Sequence, residues 1–316
     1  MTRQKIHPLL KRLLLFCVIF IGINGVITAY FYRVSIHNHK LLTQDRGYHQ
    51  SGDSIELLIM GHSRPFKAID PSLLPNAVNF CSGGESNIHT YYKLKYALER
   101  SGKEIKIVLL PAGFPSFNVP DPQVNSNSFY WKQYVDYFEL AQLTGEHDKY
   151  VSVWLKSHTI PWYEYGYLKL SSSTGDFDLR VDKEDFLNGS KEEKLNMANL
   201  VIERTMGTRS FYDEVSLEYL KKTIKLCQQH KCQLVFIKYP VSSSYREATQ
   251  AMKKEYKLLK GELKADSIIQ SYSDVHFWNY SNYWSEDDSF FADPQHVNIQ
   301  GQKTFTNLVK RRLKEL

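Results

Sequence analysis

The feature that most constrains this chain is a run of twenty residues without a charge, residues 13–32. About twenty apolar residues in a helix span the roughly 30 Å hydrocarbon core of a bilayer. Residues 1–12 carry basic and no acidic side chains, which predicts a cytoplasmic N-terminus and an extracytoplasmic remainder. The run is longer than a signal-peptide core and no clear Ala-x-Ala site follows it, so we favour an uncleaved anchor over a cleaved signal peptide.

The rest of the chain divides into a short polar segment and a long domain. Residues 33–53 contain three histidines at no standard metal-site spacing, so we expect a solvated juxtamembrane linker rather than a metal-binding tract. Residues 54–316 are expected to form one domain, because 42% hydrophobic and 14% aromatic residues allow a substantial core. Much of the net charge of +6 lies in the first forty residues and the last helix, which argues against nucleic-acid binding.

Alternating apolar runs predict an α/β fold with a central parallel sheet. The predicted strands are residues 55–60, 105–110 and 234–237, with a fourth within 275–283. The predicted helices are residues 87–102, 130–140, 216–230, 245–263 and 303–313. An aromatic-rich insertion at about 114–211 interrupts this order. Its aromatic side chains are suited to stacking on sugar rings, to forming the core of a lid, or to contacting a membrane partner.

Two distant segments contain the residues of a catalytic triad. Ser63 follows the first predicted strand, and the carboxyl ends of parallel strands are where open α/β sheets bind ligands. Asp293 precedes His296 by three residues, so its carboxylate can fix one imidazole tautomer while the other ring nitrogen faces a nucleophile. Each segment alone also fits an ordinary turn or helix cap. No phosphate-binding glycine loop or zinc-protease motif occurs, and we expect no cofactor or metal.

Together these segments resemble the SGNH (GDSL-like) hydrolase superfamily. Gly61-His62-Ser63 matches its first block, residues 79–86 match its second, and Asp293 to Gly301 match its last. The resemblance implies a three-layer, flavodoxin-like sandwich with a central parallel sheet. It also implies that Ser63 is the nucleophile, that His296 and Asp293 complete the triad, and that the amides of Ser63 and Gly84 form the oxyanion hole.

This sequence departs from the family pattern at three places. His62 replaces the usual acidic residue, and Cys81 stands where the second block commonly has glycine. The third block, Gly-x-Asn-Asp, is not evident in residues 111–118, so the asparagine that would complete the oxyanion hole is unassigned.

With its anchor, the chain is similar to a divergent envelope branch of the superfamily, which includes the lipoteichoic acid D-alanylation protein and the alginate O-acetylation proteins. That similarity implies a single-pass protein of the bacterial inner or cytoplasmic membrane. Its expected activity is that of a serine esterase or O-acyltransferase on acyl esters of an envelope glycan or related polymer, with a multi-pass membrane acyltransferase as a possible partner. The alternative is a catalytically weak accessory protein of such an acyltransferase.

Three further residues near the motifs are candidates for other roles. Arg64 is suited to binding an anionic substrate, or to a structural ion pair with Glu85 or Asp70. Asn87, at the start of a predicted helix, is a weaker candidate for substrate binding. Cys81 is either a second nucleophile or, as we favour, a buried structural thiol.

Two more cysteines, Cys227 and Cys232, are close enough in sequence to pair across a turn. The odd number of cysteines outside the anchor argues against a disulfide framework.

Overall fold

The computed structural model describes residues 8–31, 33, 40–118, 128–159, 183–206, 211–256 and 258–316. Of the five aromatic residues considered for sugar stacking, Trp154 lies within these ranges, and the others lie outside them: Trp162, Tyr163, Tyr165 and Tyr167.

A five-stranded parallel sheet forms the centre of the domain, in agreement with the predicted α/β fold. Its strands are β1 (Ser54–Ile59), β2 (Ala77–Asn79), β3 (Glu104–Pro111), β4 (Gln233–Lys238) and β5 (Val275–Asn279). The strand order is β2-β1-β3-β4-β5, and all neighbouring strands are parallel. The order reverses between β1 and β3, and the carboxyl ends of the strands at such a reversal border the usual ligand-binding crevice of open α/β sheets.

Helices connect the strands and flank the sheet. They are α1 (Pro8–Phe31), α2 (Lys40–His49), α3 (Ser63–Ala68), α4 (Asn87–Glu99), α5 (Ser128–Trp131), α6 (Tyr137–Thr144), α7 (His147–Thr159), α8 (Lys183–Asn188), α9 (Lys191–Met206), α10 (Glu214–Gln229), α11 (Ser243–Glu255), α12 (Leu259–Gln270) and α13 (Ile299–Leu313). Before α13, β6 (Phe291–Asp293) and β7 (His296–Val297) form a short antiparallel hairpin.

Successive strand residues point to opposite faces of the sheet, and each face has its own core. Leu58, Val108 and Phe236 pack with α4, α10, α11 and α12 on one face. Leu57 and Ile59 pack with α3 and α13 on the other. Burying each such side chain contributes roughly 1.5–3 kcal/mol, so the two cores hold the sheet between helical layers.

The N-terminal helix α1 is long and apolar enough to cross a membrane. Its 24 residues contain an 18-residue window with a mean hydropathy of 2.3. At about 1.5 Å per residue the helix is about 36 Å long, which exceeds the roughly 30 Å hydrocarbon core. No residue of α1 is buried within the structure.

The segment expected to be a solvated linker contains a helix that packs on the domain. Residues 40–49 form α2, and its Tyr48 is fully buried. The Tyr48 ring stacks on Phe80 with ring centroids 3.9 Å apart. Asp45 is also buried, where it accepts a hydrogen bond from the Tyr134 hydroxyl at 2.7 Å. These partners come from distant parts of the chain, so the local polar composition does not reveal the packing.

Two predicted helices are each divided in the structure. The one expected over residues 130–140 becomes α5 and α6, because Asp136 caps α6 by accepting hydrogen bonds from the Phe138 and Glu139 amides. The one expected over residues 245–263 becomes α11 and α12. The other predicted strands and helices are confirmed, with ends that move by a few residues.

Candidate active site

The turn between β1 and α3 places Ser63 at the carboxyl edge of the sheet. Gly61 has φ +112°, and a Cβ atom there would lie 2.5 Å from the ring carbons of Pro111. Only glycine combines this backbone conformation with so close an approach. His62 then caps α3, because its Nδ1 accepts a hydrogen bond from the Arg64 amide at 3.2 Å. Ser63 is therefore the first residue of α3.

His62 is a neutral residue that supports this turn. Burial lowers its pKa well below the ordinary value, and the nearby charges of Arg64 and His296 lower it further. Since Nδ1 accepts a hydrogen bond, Nε2 carries the proton and donates to the Ser116 hydroxyl at 3.1 Å. His62 thus links the Ser63 turn to the loop after β3.

The structure brings Ser63, His296 and Asp293 into one hydrogen-bonded chain. His296 Nε2 lies 2.7 Å from Ser63 Oγ, across 233 positions of sequence. His296 Nδ1 lies 2.8 Å from Asp293 Oδ2. Both distances suit a nucleophile, a general base and the carboxylate that orients the base. The β6–β7 hairpin fixes this geometry, because Asp293 and His296 are paired across it.

Asp293 remains ionised in this arrangement. Burial raises the pKa of its carboxyl group, but the hydrogen bond and charge of His296 lower it more, together with the amides of Gln295 and His296. Those amides donate to Asp293 Oδ1 at 2.9 and 3.0 Å. An ionised carboxylate accepts the Nδ1 proton of His296, which leaves Nε2 free to accept the proton of Ser63 Oγ.

The amides expected to form the oxyanion hole belong to adjoining turns. The Ser63 amide is at a helix start, where amides lack intrahelical acceptors, and it has no acceptor among the described residues. Gly84 adopts φ +74° in a turn closed by the Glu85 amide and the Ser82 carbonyl at 3.2 Å. The Ser82 amide donates to the Gly61 carbonyl at 2.9 Å, which attaches this turn to the Ser63 turn.

A buried lysine, which the sequence did not single out, supports the Gly84 turn. Lys93 Nζ donates to the Phe80 carbonyl at 2.7 Å and to Ser82 Oγ at 2.9 Å. It also forms ion pairs with Glu85 at 3.3 Å and with Asp45 of α2 at 3.4 Å. We call Lys93, Glu85 and Asp45 the buried charge cluster. Asp45 is 48 positions from Lys93 in the sequence, and no local pattern marks the contact of the three residues.

The remaining candidates have structural partners. The predicted ion pairs of Arg64 are wrong. Glu85 pairs with Lys93 instead. Asp70 caps a helical turn, where its carboxylate accepts a hydrogen bond from the Ser72 amide. Arg64 Nη1 donates to the Phe114 carbonyl at 2.8 Å. Asn87 donates through Nδ2 to the Ser216 carbonyl and accepts at Oδ1 from the Ser216 hydroxyl, which holds α4 against α10.

In its described part, residues 112–118, the loop after β3 supplies no evident third oxyanion donor. Asn118, the one asparagine of that part, is buried, and its backbone pairs with Phe211 in an isolated antiparallel bridge.

The cysteines of the domain are buried and free. Cys81 is 1% exposed, and burial raises the pKa of its thiol well above the ordinary value, as a structural thiol requires. Cys227 and Cys232 form no disulfide.

An open groove of about 590 Å³ gives access to Asp293 and His296. Lys67, Asp70 and Asn79 also line it. Within the described ranges, no group of three or more His, Cys, Asp or Glu residues is placed to hold a metal ion.

No protein-family model matches this chain, and no curated protein matches it either.

Proposed function

We propose that this protein is a membrane-anchored serine esterase or O-acyltransferase that forms an acyl-serine intermediate. The observation that carries the proposal is the hydrogen-bonded chain from Ser63 through His296 to Asp293. Its position after β1, where the strand order reverses, is the usual position of a ligand site in an open α/β fold.

In the proposed mechanism, Ser63 Oγ attacks the carbonyl carbon of an ester while His296 Nε2 takes the hydroxyl proton. The tetrahedral intermediate collapses, the bond to the leaving alcohol breaks, and His296 returns the proton to that alcohol. The acyl group is then bonded to Ser63. Water then attacks the acyl carbon to complete hydrolysis, or a glycan hydroxyl attacks it to complete transfer, while His296 accepts the proton of the attacking group. The bond to Ser63 Oγ breaks, and His296 returns the proton to Ser63.

The amides of Ser63 and Gly84 stabilise the negative oxygen of the intermediate in this proposal. A preorganised donor of this kind contributes about 3 kcal/mol to the transition state. The free Ser63 amide and the backbone bond between Ser82 and Gly61 support this assignment.

We assign the domain to the SGNH type on the motif residues, with support from the strand order and from the helices on both faces. The apolar α1 and the basic residues before it support a single-pass protein with a cytoplasmic N-terminus. By analogy with the envelope branch, the substrate is an acylated envelope glycan or related polymer, and a multi-pass membrane acyltransferase is a partner. This analogy is weaker support than the triad geometry.

A second candidate function is an accessory protein with little activity of its own. The feature that favours it is the departure of residues 111–118 from the third family block, which leaves the third oxyanion donor unassigned. Envelope acylation in cells that carry Ser63→Ala separates the two functions. Full acylation with a folded, correctly localised variant supports the accessory role, and lost acylation supports catalysis.

Turnover of a small activated ester by the detergent-solubilised full chain tests the proposed chemistry directly. We expect Ser63→Ala and His296→Ala each to lower the rate at least about a thousandfold. Ser101→Ala is the matched control, because its hydroxyl donates to the Ala97 carbonyl and accepts from the Lys103 amide, just before β3 begins and so at the opposite edge of the sheet from Ser63. Equal turnover by Ser63→Ala and the control would contradict the assignment of the nucleophile.

A further inference from the structure

A second cavity lies at the same edge of the sheet as Ser63. It is open to solvent and has a volume of about 210 Å³, far more than the roughly 10–15 Å³ that one water needs. Residues after β3, at the end of β4 and after β5 line it, and the side of α11 forms a further wall. Arg64, the residue after Ser63, also lines this cavity and so connects it to the triad.

Arg64 is buried but not satisfied by the protein. Its side chain belongs to a residue only 7% exposed, and only Nη1 has a hydrogen-bond acceptor in the described part of the chain. Nε and Nη2 are buried without a partner. The guanidinium group also lies 4.6 Å from the centroid of the Tyr245 ring. An arginine does not lose its proton in proteins, so these unmatched donors are those of a permanent cation.

A second arginine lines the same cavity, and it also has a guanidinium donor without a hydrogen-bond acceptor. Arg246 Nη2 donates to the Ser285 carbonyl at 2.5 Å, but Nη1 is buried without a partner among the described residues. The hydroxyl groups of Tyr239 and Tyr245, two more lining residues, are likewise buried and unmatched there. A buried donor without an acceptor destabilises the folded chain, and a charged donor does so more strongly. Several residues that line this cavity therefore carry hydrogen-bond donors without an acceptor, which a bound anion would supply.

The other charged residues at this cavity balance one another. Lys238 contacts Asp266 at 2.5 Å and Glu262 at 3.2 Å. Lys253 contacts the second oxygen of Glu262 at 2.6 Å. The two lysines thus neutralise the two carboxylates, and the charges of Arg64 and Arg246 remain uncompensated.

We propose that this cavity is an anion subsite, which holds a carboxylate or phosphate group of the molecule whose ester Ser63 attacks. The fork of donors on an arginine matches both groups, and such charge-assisted bonds are the strong ones. The role as a substrate subsite rests on the proposed esterase or acyltransferase function. The binding of an anion by the two arginines does not depend on that function.

Isothermal titration of the detergent-solubilised full chain with inorganic phosphate, and separately with acetate, tests the subsite. We expect at least one anion to bind, and the tighter of the two identifies phosphate or carboxylate as the preferred group. Arg246→Gln should raise its dissociation constant by at least about tenfold, the effect of losing one charged hydrogen bond. Arg64→Gln should do the same. Arg100→Gln, which removes an exposed arginine at the end of α4, should bind as the unaltered chain does.

The proposal is overturned if neither anion binds, or if Arg246→Gln binds as tightly as Arg100→Gln. Arg246 is the decisive position because it lies away from the Ser63 turn, and a thermal melt verifies that each variant is folded. Ser63→Ala should retain anion binding. A chain that binds the anion yet lacks ester turnover would contradict the proposed chemistry alone, so the two failures are distinguishable.

Discussion

At the scale of single residues, Asp293 acts on Ser63 only through His296. Its Oδ2 accepts the proton on His296 Nδ1, and that bond leaves the Nε2 lone pair directed at Ser63 Oγ. Two backbone amides hold the other carboxylate oxygen, which prevents rotation of the group. The geometry therefore selects one imidazole tautomer before any substrate arrives.

Asp293→Asn should lower kcat for ester turnover by about ten thousandfold with little change in fold, because an asparagine favours the wrong imidazole tautomer. Steady-state kinetics with circular dichroism measures both effects. Asp287→Asn is the matched control, since Asp287 caps an exposed turn of the same loop. Turnover by Asp293→Asn within a few-fold of the control would show that the carboxylate does not orient the base.

Glu85 makes stability depend on pH. Burial raises its pKa from 4.5 to about 7, although Lys93 and Thr90 oppose the rise. Between these values the folded chain keeps a proton that the unfolded chain releases, so this residue makes the free energy of unfolding fall as pH rises. His62 has the opposite sign, because its lowered pKa costs stability as pH falls below about 6.5.

Glu85→Gln should remove the contribution of Glu85 to the pH dependence. Between about pH 5 and 7, the slope of the free energy of unfolding against pH should therefore be more positive in the variant than in the unaltered chain. Urea unfolding at several pH values measures the two slopes. Glu56→Gln, at an exposed ion pair with Lys106, should leave the slope unchanged. Parallel profiles for Glu85→Gln and the unaltered chain would contradict the raised pKa.

At the scale of elements, the buried charge cluster joins α2 to the turn that presents Gly84. Lys93, on α4, contacts Asp45 of α2 and Glu85 of the turn. All three side chains are almost fully buried. The helix that follows the apolar α1 and a turn of the candidate active site therefore share one counter-ion.

Lys93→Met should destabilise the domain by about 3–5 kcal/mol, because it leaves two buried carboxylates without their cation. Urea unfolding measures the loss, and faster proteolysis within residues 40–53 would report release of α2. Lys106→Met removes a lysine from an exposed pair and should leave the free energy of unfolding nearly unchanged. Equal losses for the two variants would contradict the structural role of the cluster.

Elements with a strong local signal were predictable from the sequence. The apolar runs of β1, β3 and β4 and the periodic faces of α4 and α10 all appear in the structure. The sequence did not reveal β2, because three residues carry no periodicity and its place depends on pairing with β1. It also did not reveal the packing of α2, since Asp45 and Tyr48 find their partners only in the folded domain.

The candidate site was predictable in part for the same reason. Ser63, Asp293 and His296 stand in recognisable local patterns, and the structure places them within hydrogen-bonding distance. Of the two interpretations of Arg64, the ion pair with Glu85 or Asp70 was wrong, because Lys93 pairs with Glu85 and no local pattern predicts that contact. Lys93 and Arg246 carry no local motif, so their roles follow only from the fold.

At the scale of the whole molecule, an apolar helix precedes a domain whose candidate site lies at one edge of its sheet. Deleting residues 1–32 should release the chain from washed membranes into the soluble fraction, since α1 supplies the apolar span. Fractionation of cells that express each form measures this. Retention of the truncated chain in the membrane pellet, or a full chain in the soluble fraction, would contradict the anchor.

The most direct test of the central claim is mass spectrometry of the detergent-solubilised full chain, quenched in acid after brief exposure to a small activated acyl ester. The proposed mechanism predicts one acyl group on the peptide that contains Ser63, and none on that peptide in Ser63→Ala. An unmodified Ser63 under conditions where ester turnover is measured, or the same modification of that peptide in Ser63→Ala, would contradict an acyl-serine intermediate.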